Sequence, residues 1–239
     1  MNVAVIGGGY AGMAAAVTLT AAGVPVTVFE AAKTLGGRAR RVEHPELTLD
    51  NGLHILIGAY RETLRMMELV GAAPDRHLLR MPFSWEIRSR FSLKAARLPP
   101  PLHLLAGLLG ARGVALSERL AAARFLLAMR RAEFTLPRDT SVANLLESER
   151  QGMGVVRLLW TPLCVSALNT RPEAASAQVF LNVLRDSLAA DRGASDLLLP
   201  RSDLSALFPD PARAWVEARG GAVLLGQRVT AIDPGAQTT

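Results

Sequence analysis

The chain has 239 residues, half of them hydrophobic, with one cysteine and a net charge of +6. A sequence this apolar and this long buries a substantial core, which excludes intrinsic disorder. Cys164 alone forms no disulfide framework and reads as a small buried hydrophobe, and His44, His54, His77 and His103 show no metal-ligand spacing, so no metal is expected.

The charge is unevenly placed. Between Arg61 and Arg131 there are thirteen Lys or Arg against five Asp or Glu, a local excess of eight. Two readings stand: a solvated arginine-rich face, or a surface turned towards an anionic membrane. No aromatic residues interleave the arginines, so a nucleic-acid partner is not expected. No run of about 20 apolar residues occurs, which excludes a membrane-spanning helix. The N-terminal stretch lacks a basic segment and carries glycines where a signal sequence is continuously apolar, so a cytoplasmic chain is expected.

In chain order, "NVAVIGG" is a short apolar run rich in valine and isoleucine, as in a fully buried parallel strand. "AGMAAAVTLTAAG" predicts a helix that Gly23 ends, and "VPVTVFE" a second strand closing on Glu30. Strand, tight turn, helix and strand make one βαβ unit. "YRETLRMMELVGA" has a helical period, and "FSWEIRSRFSLKAA" alternates weakly, as short strands do. Three prolines at 99–101 mark a change of subdomain. "LSERLAAARFLLAMRRAEF" predicts a strong helix with Ser117 as its N-cap, and "VANLLESE" and "ASAQVFLNVLRDSLAA" predict two more. After a further helix, a turn at Gly220-Gly221 leads to two strand-like pieces around Gly226.

Gly7, Gly9 and Gly12 form G-x-G-x-x-G between the first strand and its helix. The first glycine permits the sharp turn, the second lets backbone approach a pyrophosphate, and the third lets helix and strand pack closely. A pyrophosphate along Gly7, Gly9, Ala11 and Gly12 sits on the helix N-terminus, where free N–H groups favour an anion. Glu30 ends the second strand, placed to accept hydrogen bonds from ribose hydroxyls. The fingerprint alone does not separate NAD from FAD. The second glycine pair does: G-x-G-x-x-G, then Glu30, then Leu35-Gly36-Gly37-Arg38 resembles the FAD-binding N-terminus of the amine oxidase and carotenoid desaturase superfamily.

That resemblance implies an α/β fold: a Rossmann-type FAD-binding domain with a partly helical substrate domain. It divides the chain into an FAD-binding βαβ region over 1–75, a helical substrate and membrane-facing domain over 76–212, and return strands over 213–239. It implies FAD as cofactor, with Gly37 and Arg38 beside the pyrophosphate and Val229 meeting the adenine by its backbone. "DNGLHILIGAYRE" resembles the segment that passes the flavin ring, with Gly52 and His54 nearest it. A histidine in such a place is either a donor to the flavin or a satisfied core residue.

"LWTPLCVSALNTRPEAASAQVFLNVLRDSL" and "SDLLLPRSDLSALFPDPARAW" resemble one branch, the squalene-associated FAD-dependent desaturases, read as hydroxysqualene dehydroxylases. Where that branch usually has glutamine this chain has Leu53, and "GLHILIGAY" instead resembles plant-type phytoene desaturases. The branch implies loss of the hydroxyl of hydroxysqualene and hydride transfer from reduced flavin, giving squalene. A carotenoid desaturase is the alternative. Asp50 and Glu173 are the candidate acids, neither secured by spacing, and no catalytic residue is assigned. The resemblance also implies a C-terminal segment closing over the cofactor that the 239 residues do not include. The chain alone is therefore expected to hold flavin weakly, and the third alternative is a non-catalytic binding partner. A long isoprenoid substrate implies peripheral membrane contact through 98–131. The helix around Leu120, Phe125, Leu126 and Met129 either lies apolar face down among Arg119, Arg124, Arg130 and Arg131, or packs on the protein's own core.

Overall fold

The computed structural model describes residues 2–52, 54–99, 101–189 and 192–233, so Leu53 lies outside the described residues. Contacts divide the chain into two compact units. The first comprises the residues up to Leu56, Tyr60–Leu79 and those from Leu198 onward; the second comprises Ile57–Ala59 and Arg80–Leu197.

The first unit opens with β1 (Val3–Ile6), α1 (Tyr10–Ala21) and β2 (Val26–Glu30). Antiparallel β3 (Arg41–His44) and β4 (Leu47–Asp50) follow, then α2 (Arg61–Leu69). The unit is completed much later by α3 (Leu204–Leu207), α4 (Pro209–Glu217) and β5 (Ala222–Leu225). β2 lies between β1 and β5, parallel to both, with Val28 opposite Val5 on one side and Val223 on the other. α1 and α4 cover one face of this sheet, burying Met13, Ala16, Val17, Ala212 and Val216 against Val26, Val28 and Val223. Only that face is covered among the described residues. β1 therefore alternates, with Ile6 54% exposed, rather than being buried throughout as its run of apolar residues suggested.

The division expected at 212/213 falls instead at 197/198. Leu198, Leu204, Leu207 and Phe208 are buried with Met13 and Met67, so the whole stretch 198–212 belongs to the first unit's core. Of the two strand-like pieces around Gly226, only β5 forms. Residues 227–233 are irregular, and no strand among the described residues pairs with them.

In the second unit the short strands expected in this stretch pair as a hairpin, Ser84–Ile87 against Phe91–Lys94, and helices lie at Leu102–Leu109, Leu116–Arg131, Val142–Ser148, Thr161–Leu168 and Ala177–Leu184. Its centre is aromatic: Trp160 meets Phe125 edge-on at 5.4 Å between centroids and Phe180 at 6.5 Å. The helix at 116–131 is N-capped at Ala115, not Ser117. Ser117 lies inside its first turn, and the carboxylate of Glu118 accepts hydrogen bonds from the N–H groups of Ala115 (3.2 Å) and Gly154 (2.7 Å). Phe125 and Met129 of the same helix are buried in the unit's own core, so they are not available to a membrane. What this helix leaves exposed is Leu116, Ser117, Leu120, Arg124, Arg130 and Arg131.

Candidate cofactor site

The site is built where two glycine loops meet. Gly7 leaves β1 with φ +101°, a conformation that costs any other residue steric strain. A Cβ on Gly12 would fall on the carbonyl oxygen of Gly7, so the third glycine lets the turn and helix close on each other. Gly9 is the N-cap of α1 and offers no side chain as a cap. The first helical hydrogen bond runs from Met13 N–H to Gly9 O (2.9 Å), which leaves the N–H groups of Tyr10, Ala11 and Gly12 without helical acceptors. A Cβ on Gly9 would stand 3.7 Å from Gly37 Cα, in ordinary contact; the protein itself does not forbid a side chain there.

The second loop lies directly on the first. Gly36 N–H donates to Gly8 O (2.9 Å), Gly9 and Gly36 form a parallel bridge, and a Cβ on Gly37 would stand 3.2 Å from Gly9 Cα. Gly36 and Gly37 both take positive φ, +113° and +61°. Gly8, a variable position in the fingerprint, is as constrained as its neighbours: a Cβ there would meet the side chains of Leu35 and Glu30.

Glu30 binds the loops from beneath. Its Oε2 accepts from Gly8 N–H (2.6 Å) and its Oε1 from Ala32 N–H (2.7 Å). A carboxylate has about four acceptor sites, so each oxygen keeps a lone pair for a ribose hydroxyl. Gln227 N–H donates to Glu30 O (2.9 Å), which brings the exit of β5 beside this acid, with Val229 two residues further on in the irregular stretch.

Arg38 is exposed at the tip of the second loop. The neighbouring arginines, which the sequence did not single out, are engaged by protein. Arg40 Nη1 donates to Gly37 O (2.8 Å), and Arg41 pairs with Asp203 and Asp210, each at 3.2 Å. The flavin-side candidates come close through the β3–β4 hairpin. Asn51 donates from its backbone to Arg40 O (2.8 Å) and from Nδ2 to Arg38 O (3.2 Å), so Gly52, at φ +96°, adjoins that loop. His54 is exposed in an irregular segment, not packed in an apolar strand, and its Nδ1 lies 3.2 Å from Gly52 O. The two candidate acids differ. Asp50 Oδ1 accepts from Leu204 N–H (2.8 Å), whereas Glu173 is exposed on the second unit.

Tyr10, at the start of α1, donates its hydroxyl to Leu204 O (2.7 Å). Burial raises its pKa, and the charges of Asp50 and Asp203 raise it further, so it stays a neutral donor. It also lines a cavity of about 200 Å³ in the first unit with Ala11, Ala14, Glu62, Met66 and Phe208. Two apolar cavities in the second unit are about 20 Å³ each, room for little more than one water. Neither holds a long isoprenoid chain. No group of His, Cys, Asp or Glu among the described residues is arranged to hold a metal.

Residues 10–239 match the model of the flavin containing amine oxidoreductase family, and the chain belongs to that family. The expected superfamily, that of flavin-containing amine oxidoreductases, stands with that membership. Among relatives, the hydroxysqualene dehydroxylases of Sinorhizobium fredii and Zymomonas mobilis are 30% and 29% identical over 95% and 90% of the chain. A probable zeta-carotene desaturase of Synechococcus elongatus is 25% identical over 98% of it. The chain spans about half the length of these proteins, 51–54%. An oxidoreductase from Methanosarcina mazei shares the fold, with a TM-score of 0.69 at 16% identity over 95% of this chain and 51% of that one.

Proposed function

We propose that the protein takes part in the reductive dehydroxylation of hydroxysqualene to squalene, its two glycine loops holding FAD. The observation that supports this most directly is similarity to hydroxysqualene dehydroxylases along nearly the whole chain, joined to a cradle in which Gly9 and Gly37 touch backbone to backbone.

In this reading the free N–H groups at the start of α1 receive the pyrophosphate, and Gly7, Gly9 and Gly37 keep the approach clear of side chains. Glu30 presents its remaining lone pairs to the ribose, while Arg38, with its guanidinium in solvent, supplies a charge-assisted fork to phosphate. Gly52 and His54 lie on the flavin side, and Val229 on the adenine side. FAD held there would, in its reduced form, supply the hydride that replaces the lost hydroxyl. The balance also requires one proton, which leaves with the hydroxyl as water. Asp50 is engaged by Leu204 N–H and Glu173 is exposed, so neither is assigned as the proton donor.

The test is anaerobic incubation of the photoreduced, FAD-loaded protein with hydroxysqualene. Squalene formed in proportion to flavin reoxidised is the expected result; no squalene with the flavin still reduced overturns it. The second reading, a carotenoid desaturase, is favoured by the Synechococcus relative and requires the reverse redox direction. In that case oxidised protein is bleached by a carotene under the same conditions. Peripheral membrane contact belongs to the proposal in a reduced form, through the exposed Leu116, Leu120, Arg124, Arg130 and Arg131. No helix among the described residues is long and apolar enough to cross a membrane.

A further inference from the structure

We propose that Ser205 is a positioning residue for the cofactor loop, acting as the pin that closes residues 35–41. It lies 170 residues from the loop it holds and is fully buried. Its hydroxyl donates to Leu35 O (2.7 Å) and accepts from Arg41 N–H (2.9 Å). One side chain thus satisfies the backbone at both ends of the segment that carries Gly36, Gly37 and Arg38. A hydroxyl can donate once and accept at the same time, which is what this bridge uses.

The surrounding contacts fix Ser205 in that place. Asp203 caps α3 by accepting from Ala206 N–H (2.9 Å), and it also pairs with Arg41. Asp210, in the first turn of α4, holds the other side of the same guanidinium. Asp50 accepts from Leu204 N–H and Tyr10 donates to Leu204 O, so the residue before Ser205 is tied at both backbone groups. The loop cannot spread while these ties hold. Gly36 then stays bonded to Gly8, and Gly37 stays against Gly9. Removing the hydroxyl strands the buried Leu35 carbonyl and the part-buried Arg41 N–H together, and both are freed if the loop opens to water.

This inference rests on the reading of the loop as the cofactor's, so its test has one arm with ligand and one without. The loop contains Arg38, Arg40 and Arg41, which makes trypsin a probe of its closure. In flavin-free protein, Ser205→Ala is expected to speed cleavage after Arg38 and Arg40 by about tenfold. Cleavage after Arg124 and Arg130 in the second unit should keep its wild-type rate. The dissociation constant for FAD, read by flavin fluorescence, is expected to rise about tenfold with it. Ser202→Ala is the control: its hydroxyl is buried with no partner, and both readouts should match wild type. Should Ser205→Ala fail to fold, Asp203→Asn decides. Asparagine still caps a helix but gives up the ion pair with Arg41, and about threefold faster cleavage at the same two bonds is expected.

Wild-type cleavage rates in a folded Ser205→Ala, or in Asp203→Asn where that variant decides, overturn the pin, whatever FAD does. Faster cleavage in a protein whose wild type binds no FAD keeps the pin and removes the cofactor reading instead. Faster cleavage with an unchanged dissociation constant shows a loop clasp with no bearing on cofactor, and overturns the positioning role.

Discussion

Around Trp160 the second unit is fastened by rings, with Phe125 and Phe180 meeting the indole edge-on in a core of leucines. Around Gly36 the first unit is fastened by polar contacts instead: Glu30 to Gly8, Ser205 to Leu35 and Arg41, Asp203 and Asp210 to Arg41. The difference follows from what each region must do. A core filled with side chains needs only shape and apolar area. In the proposed function the glycine loops cradle a dinucleotide and must be empty of side chains, and glycines bring no packing of their own. Hydrogen bonds and ion pairs from behind supply the order that side chains cannot. Substitutions in the two regions should accordingly fail in different ways, one by unfolding and the other by losing ligand.

The largest effect is expected at Trp160→Ala, which removes the central ring and leaves a cavity at a cost of about 3–5 kcal/mol. Chemical denaturation should show it as a large shift in midpoint. A loss below about 1 kcal/mol would mean the aromatic cluster is not what holds this unit.

Two glycine substitutions divide folding from binding within the cradle. Gly12→Ala pushes a methyl onto the Gly7 carbonyl and should cost stability by about 1–3 kcal/mol. Gly9→Ala meets only ordinary contacts, so the protein should keep its melting temperature while its dissociation constant for FAD rises at least tenfold. Normal FAD binding by Gly9→Ala would remove the pyrophosphate from this turn.

Glu30→Gln comes next. It replaces charge-assisted acceptors of two backbone N–H groups with an amide that can accept from only one of them, and about 1.5 kcal/mol should be lost from both stability and FAD affinity. Arg38→Ala should leave stability within about 0.5 kcal/mol, because the guanidinium is in solvent, yet weaken FAD severalfold. Equal losses of stability at Arg38 and Glu30 would erase the distinction between ligand contact and loop support.

The smallest effect concerns the second unit's surface. Sedimentation with anionic liposomes should fall modestly when Arg124, Arg130 and Arg131 are all changed to glutamate, since only Leu116 and Leu120 of this helix's leucines stand exposed beside them. Equal sedimentation of both proteins, or none, removes the membrane from this face.

What was legible in the sequence is what local spacing encodes. The βαβ unit is short-range: its turn, helix and second strand are set by neighbours within thirty residues, so apolar runs and glycines reveal it. The hairpin at 84–94 is similarly local. Ser205, Asp203 and Asp210 were not legible as site residues, because their partners lie more than 160 positions away and a serine in "SDLSAL" carries no sign of them. For the same reason 198–212 looked like part of the helical domain. Ser117 was misplaced because Glu118, one residue on, captures the helix start. The amphipathic stripe at 120–129 is a pattern that a core and a membrane interface share, and only packing against Trp160 separates them.

The distance between Leu35 and Ser205 also has a meaning in time. The glycine loops leave the ribosome before the serine that pins the second of them, which is made 170 residues after Leu35. At about 5–20 residues per second, that is a delay on the order of 10–30 s. During it the loop is unpinned, and the entire second unit is synthesised in the interval. In the proposed reading the loop is therefore closed only after the helical unit has been made, and capture of the cofactor follows that closure.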